Sequence, residues 1–295
     1  MLTGTGVADG LVTYTEPTEQ LTLPIAISAD GARIFYQATS VQPPWRRGAG
    51  VILMHHGVAL NGDAWCDWQP VLLAAGYRVM RLDMRGFGRS EHTPEGYAWS
   101  FQKFFADIDA ILAAENVECF HYVGESLGGT IGLAYAARRP ERVLSCALLS
   151  TPFDGSRIKA IDRWRVTINE HGMVAWSNEL MAMRFVEHEV NPAIYEWVRQ
   201  FQSQCSPSAV CGQADFIRTQ NLTLELGNIR APVLILAPDG SPFVDRSMAA
   251  DLHAHIATSE IRWFPGQRHS LLMSRASECA TAYVEFINRR LGTSN

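Results

Sequence analysis

Ser126 lies in the run Gly124-Glu125-Ser126-Leu127-Gly128-Gly129, directly after the stretch ECFHYVG and directly before a helix-forming stretch. G-x-S-x-G between a strand and a helix is the spacing of a nucleophile. The chain turns so sharply at the serine that only small residues fit on either side, and the hydroxyl is presented at the C-terminal edge of a sheet. The Leu127 N–H opens the helix and points at negative charge developing on a carbonyl oxygen. A second such donor is expected after the run VILMHH, where His55-His56-Gly57-Val58 lets the chain turn at Gly57 and aim the Val58 N–H at the same oxygen. The tandem histidines point to opposite faces of a strand, which suits them poorly to share an ion, so no metal is expected.

An activated serine needs a general base. Of nine histidines, His269 sits in a Gly-Gln-Arg-His-Ser loop after the apolar run SEIRWFPG, at the same sheet edge and last in chain order. His171 and His188 fall in a helical stretch, His253 and His255 in another, and His121 within a strand, so His269 is the candidate base.

The elements that must position these groups alternate. LTLPIAIS and ARIFYQAT flank an Asp30-Gly31 turn and read as a hairpin. VQPPWRRGAG is a Pro/Gly-rich connection, and VILMHH then reads as a strand buried on both faces. Helix and strand follow in turn: WQPVLLAAG, YRVMRLD, FQKFFADIDAILAAEN, ECFHYVG, SLGGTIGLAYAARRP and RVLSCALLS. Near Thr151 the alternation stops, and helical periodicity runs to about Gly227. It resumes with APVLILAP, SMAADLHAHI, SEIRWFPG and ASECATAYVEFINRRL. This predicts an α/β fold with a mostly parallel central sheet flanked by helices, its core made of residues 1–151 and 228–295. Residues 152–227 form a helical cap, or lid.

Composition sets the broad class. In 295 residues the apolar share is 47% and the charged share 19%, with 25 Lys and Arg against 30 Asp and Glu and a net charge of -5. That is globular, and a weakly acidic chain without a basic run is a poor nucleic-acid binder. No apolar stretch approaches the roughly 18 residues of a membrane span. The opening MLTGTGVADGLVTYTEP has no cationic start and no apolar core. The six cysteines form no CxxC pair and no zinc spacing, so reduced thiols are expected. The expectation is a soluble cytoplasmic protein, monomer or homodimer, with no membrane or nucleic-acid partner.

Together these residues resemble the α/β-hydrolase superfamily, from about Leu21 to Leu291. Besides GESLGG, the segment RLDMRGFGRS (Arg81 to Ser90) is similar to the superfamily's D-x-R-G-x-G-x-S turn, in which Asp83 and Arg85 are expected to act structurally through polar contacts. The insert is similar to the lid of 3-oxoadipate enol-lactonases and their lactonase and esterase relatives, in HGMVAWSNELMAMRF, NPAIYEWVRQ and ADFIRTQNLTLELGNIRAPVLILA. The resemblance implies cofactor-free hydrolysis of a small lactone or ester by an acyl-enzyme route, with Ser126 as nucleophile and His269 as base. Val58 and Leu127 would form the oxyanion hole.

The resemblance also implies an acid after APVLILA. Here the text is Ala237-Pro238-Asp239-Gly240-Ser241-Pro242, with Ser241 at the usual acid position and Asp239 two residues earlier. Asp239 is taken as the acid. Asp154, Asp245 and no acid at all stay open, and matching after the LLSTPF strand meets Ser150 rather than an acid. In the lid, Trp164, Trp176, Met181, Met183, Phe185 and Trp197 are mostly core packing. Trp176, Met181, Met183 and Phe185 are the candidates to touch substrate. Arg157, Arg163, Arg165 and Arg184 are candidate cations for a substrate carboxylate, whereas Glu125 beside the nucleophile favours a neutral substrate. A carbon–carbon bond hydrolase, an acyltransferase and a ligand-binding protein on the same scaffold are the alternatives.

Overall fold

A computed structural model of the chain describes residues 24–41 and 48–292. The opening segment, Leu21–Leu23 of the first strand-like run and most of the connection VQPPWRRGAG lie outside the described residues. Strands β1 (Ile25–Ile27) and β2 (Arg33–Thr39) form the antiparallel hairpin, turned at Gly31 with φ +86°. The strands β3 (Val51–His55), β4 (Arg78–Leu82), β5 (Phe120–Glu125), β6 (Val143–Leu149), β7 (Val233–Pro238) and β8 (Ser259–Phe264) follow. They make one eight-stranded sheet in the order β1-β2-β4-β3-β5-β6-β7-β8. β2 joins β4 antiparallel, and every later pairing is parallel. All residues of β5 and β7 are buried. A strand covered on both faces has no solvent side, which is why these runs read as continuously apolar.

Helices cover both faces. Helix α1 (Gln69–Ala74) follows β3, α2 (Phe101–Ala114) precedes β5, and α3 (Leu127–Arg138) leaves β5 directly. Between β6 and β7 the regular elements are helical: α4 (Trp164–Arg184), α5 (Pro192–Ser203) and α6 (Pro207–Arg218), with short 3-10 turns. Then come α7 (Arg246–His255), α8 (Leu271–Ser274) and α9 (Ala276–Leu291). Side chains set the helix starts. Ser100 accepts from the Lys103 N–H, Asn191 and Ser206 precede a proline in the first turn, and Asp245 accepts from the Met248 N–H at 2.7 Å. Gly292, left-handed at φ +67°, ends α9. No described helix is long and apolar enough to cross a membrane.

The Asp83 turn is structural, as its residues imply. Asp83 accepts from the Gly62 N–H (2.8 Å), the Arg89 N–H (2.8 Å) and Arg89 Nε (2.9 Å). Arg85 is clamped between Asp107 and Asp30, so the buried Arg85 and Asp107 charges are both paired. The Arg85 carbonyl accepts from Gln213 of α6 at 3.4 Å, tying this turn to the helices inserted after β6.

Candidate active site

The nucleophile is built by backbone strain. Ser126 follows β5 and sits at the N-cap of α3 with φ +53° and ψ -121°, where a residue with a Cβ is rarely found. Its N–H donates to Leu149 O of β6 at 3.0 Å, and its carbonyl accepts from the Thr130 N–H at 2.9 Å. The strained residue is therefore held from both sides. The flanking glycines are obligatory. A Cβ on Gly124 would run into the Gly128 backbone, and one on Gly128 would run into the His55 and His56 carbonyls. Leu127 is the first residue of α3, and Val58 follows the Gly57 turn and lines the same cavity as Ser126.

The tandem histidines are structural. His55 Nδ1 bonds the Tyr122 hydroxyl at 2.7 Å. His56 Nδ1 bonds Gly57 O at 2.7 Å, and its Nε2 accepts from the Met84 N–H at 2.8 Å. Burial pushes His55 well below the usual imidazole range and His56 down to about 4, so both rings are neutral. Among the described residues no three His, Cys, Asp or Glu side chains group as metal ligands.

His269 lies in the loop between β8 and α8, and that loop is pinned at several points. The Ser150 hydroxyl donates to His269 O at 2.5 Å, and the Ser270 N–H donates to Arg184 O at 3.0 Å. The ring lines the cavity with Ser126, and Phe243 packs on it at a centroid distance of 4.6 Å. Burial, then Arg184, lowers its pKa well below the ordinary value, so the ring is neutral in the resting site.

The partner of His269 Nδ1 is Ser241 Oγ, at 2.9 Å. Asp239 is turned elsewhere: its carboxylate accepts from the Gly266 N–H at 2.7 Å and lies 3.6 Å from Arg246. The two other candidate acids are committed to caps. Asp154 binds the Ser156 N–H and hydroxyl, and Asp245 caps α7. The geometry thus departs from the expectation of Asp239 as the acid. The reason is local, since Gly240 donates its N–H to Gln267 O at 3.0 Å and so turns the Asp239 side chain toward the β8 turn. Ser241 Oγ also accepts from the Phe243 and Val244 N–H groups, each at 3.2 Å. Both lone pairs are then used, and the hydroxyl proton is left to donate to Nδ1. A carboxylate there would instead accept from Nδ1–H and free Nε2 as a base.

A carboxylate does lie on the other side of the ring. Glu125 Oε1 is 3.8 Å from His269 Nε2 and 3.7 Å from Arg184 Nη1. Both Glu125 oxygens are buried without a hydrogen-bond partner. Burial outweighs the Arg184 charge and raises the carboxyl from 4.5 to about 7. Gly57 makes room for it, since a Cβ there would overlap the carboxylate. Arg184, fully buried at the end of α4, also donates to Val58 O (2.7 Å) and Ser270 Oγ (3.0 Å), while its Nε is unpaired.

The cavity over Ser126 is narrow, about 20 Å³, and is walled mainly by Ile158, Ile161, Trp164, Leu180, Ile217 and Phe243, with Ser126, Arg184 and His269 as its polar groups. None of the four expected lid contacts lines it. Trp176 is buried edge-on against Trp164 at 5.2 Å, Met181 is core, Phe185 packs near Tyr195, and Met183 lies at a neighbouring cleft. Trp176, Leu180 and Arg184 recur at four-residue steps along α4, but the Trp176 ring is taken up by Trp164 and Met181 by the core, which leaves Leu180 and Arg184 to the cavity. Of the four candidate cations only Arg184 lines this cavity. Arg157 pairs with Asp251 and Arg165 with Asp215.

Residues 50–276 match the family model described as alpha/beta hydrolase fold. The chain belongs to that family and is an α/β-fold hydrolase. It is 24% identical over 283 residues to a non-heme haloperoxidase of Rhodococcus erythropolis, covering 90% of this chain and 99% of that one. A stretch of 129 residues is 35% identical to the non-heme chloroperoxidase CPO-A1 of Kitasatospora aureofaciens, but covers only 43% of this chain and 44% of that protein. Among solved structures, the enol-lactonase of Burkholderia xenovorans LB400 superposes with a TM-score of 0.80 at 20% identity, covering 90% of this chain and all (100%) of that one. The N-acyl homoserine lactone degrading enzyme Est816 gives 0.75 at 23% identity, with 89% and 100% covered. At these identities the structural likeness establishes the fold.

Proposed function

We propose that the chain is a serine hydrolase that cleaves a small neutral lactone or carboxylic ester through an acyl-enzyme on Ser126. The observation that carries this reading is Ser126 held at φ +53° and lining, together with the His269 ring, one cavity. Ser126 Oγ attacks the carbonyl carbon, its proton passes to His269 Nε2, and the carbonyl π electrons move onto the oxygen, to which the Val58 and Leu127 N–H groups donate hydrogen bonds. The same proton then goes to the leaving oxygen as the C–O bond breaks, and water releases the acyl group by the reverse sequence.

Residues 152–227 act as the lid, and the apolar walls with one buried arginine suit a compact apolar acyl or alcohol part of modest size. The lactonases and esterases among the structural neighbours are in keeping with this substrate class. The second reading, a ligand-binding protein on the same scaffold, is favoured by one observation, the hydroxyl of Ser241 where a charge would orient His269. Incubation with a fluorophosphonate, followed by a panel of p-nitrophenyl esters and lactones of increasing size, separates the two. Covalent labelling at Ser126, with Ser126→Ala losing about three orders of magnitude or more in kcat, is expected of the hydrolase. An unlabelled protein that still binds small apolar ligands would favour the binding protein.

A further inference from the structure

We propose that Glu125 is the carboxylate that supports His269, acting from the Nε2 side of the ring in place of an acid on Nδ1. The inference rests on the serine-hydrolase reading above. Its basis is the sandwich the ring occupies: the Ser241 hydroxyl at 2.9 Å from Nδ1 and the Glu125 carboxylate at 3.8 Å from Nε2. When the Ser126 proton arrives on Nε2, the ring becomes an imidazolium with both nitrogens protonated. A hydroxyl on Nδ1 carries no charge to compensate it, and Arg184 opposes it. Glu125 is the acidic side chain found in contact with the ring, and neither of its buried oxygens has a hydrogen-bond partner. Arg184, 3.7 Å from the same oxygen, favours the ionised form of Glu125. Glu125 takes no proton in this scheme. It holds the charged ring in place until the Nε2 proton is handed to the leaving oxygen, which makes it a positioning residue.

The titratable and charged groups in contact with Glu125 are Arg184 from α4 and His269 from the loop after β8, while His55 at the end of β3 pairs its backbone with Gly124 next to it and His56 follows. Cys205 lies near Arg184 and is pushed up to about 12 by burial. The two β3 histidines and His269 are neutral at neutral pH. An activity limb near pH 7 therefore belongs to Glu125, whose carboxyl is raised to about 7.

The test measures p-nitrophenyl ester hydrolysis and fluorophosphonate labelling from pH 5 to 9 for the wild type, Glu125→Gln, Ser241→Asp and the double variant. The expected result is a wild-type rate that rises through about pH 7. E125Q should lose this limb and fall at least tenfold at pH 8. Adding S241D should recover the E125Q loss, because a carboxylate on Nδ1 does the same work from the other side. An E125Q protein labelled as fast as the wild type, with the same profile, overturns the role of Glu125 alone. So does a loss that S241D leaves unrepaired. A wild type that takes no label at Ser126 overturns the hydrolase reading as well. If E125Q fails to fold, Glu125→Asp carries the test. Withdrawing the carboxylate by one methylene should lower the rate and displace the limb, and an unchanged profile overturns the proposal.

Discussion

Replacing Ser241 with aspartate should speed the enzyme. Ser241 Oγ is 2.9 Å from His269 Nδ1 and accepts from two backbone N–H groups at 3.2 Å. In the resting wild type the Ser241 hydroxyl favours the Nε2–H tautomer, so the Nδ1–H tautomer, whose Nε2 takes the Ser126 proton, is the minor form. The introduced carboxylate would accept from Nδ1–H, free Nε2, and place a full charge about 4 Å from the imidazolium centre. At an effective dielectric constant of about 20 that interaction is about 4 kcal/mol, or roughly three orders of magnitude in rate. The reverse change in a Ser-His-Asp triad, acid to amide, costs about 10⁴ in kcat. Part of the compensation already comes from Glu125, and an aspartate reaches one bond further than a serine. The expected gain is therefore about 10²–10³ in kcat. The Phe243 and Val244 N–H groups are positioned to bind the new carboxylate, so its burial is not left unpaired. Stopped-flow or steady-state hydrolysis of p-nitrophenyl esters at pH 8, with thermal melts to confirm an intact fold, measures it. A folded S241D protein with an unchanged or lower kcat would refute the reasoning about the Nδ1 side of His269.

Other perturbations read different parts of the structure. Asp239→Asn keeps an acceptor for the Gly266 N–H and removes no charge from His269. Its kcat/KM should stay within about threefold of wild type, and a loss near 10³ would make Asp239 the triad acid after all. Gly128→Ala forces a Cβ into the backbone carbonyls of His55 and His56 and should cost about 2–4 kcal/mol. A thermal midpoint equal to wild type would mean that this turn is not tightly packed. Glu125 binds more protons folded than unfolded between its ordinary 4.5 and about 7. Its contribution to stability is therefore present at low pH and lost as pH rises through that window, by on the order of 3 kcal/mol. Urea midpoints of wild type should fall relative to E125Q between pH 4.5 and 7, and parallel curves would show that Glu125 ionises freely.

What could be read from the residues was local. The β5–turn–α3 unit is specified by contiguous apolar residues and by glycines whose Cβ would collide, so Ser126 was legible with its conformation. The Asp83 turn and the core role of His121, which bonds Ser145 at 2.8 Å, are likewise short-range. The Nδ1 partner was half legible. Position 241 marks itself by alignment of the loop, but the direction of Asp239 depends on Gly240 pairing with Gln267 across the β8 turn. The lid contacts were not legible because Trp176 shares a face with Leu180 and Arg184, and only its packing on Trp164 keeps it from the cavity. The Glu125–Arg184–His269 cluster joins three distant segments, and no spacing within any one of them encodes that meeting.

The most direct measurement is intact-protein and peptide mass spectrometry after brief exposure to a fluorophosphonate at pH 8. A single adduct on the peptide containing Ser126, abolished in Ser126→Ala and in His269→Ala, is the predicted result. An unmodified protein, or an adduct on another residue that persists in Ser126→Ala, would contradict the assignment of Ser126 and His269 as nucleophile and base.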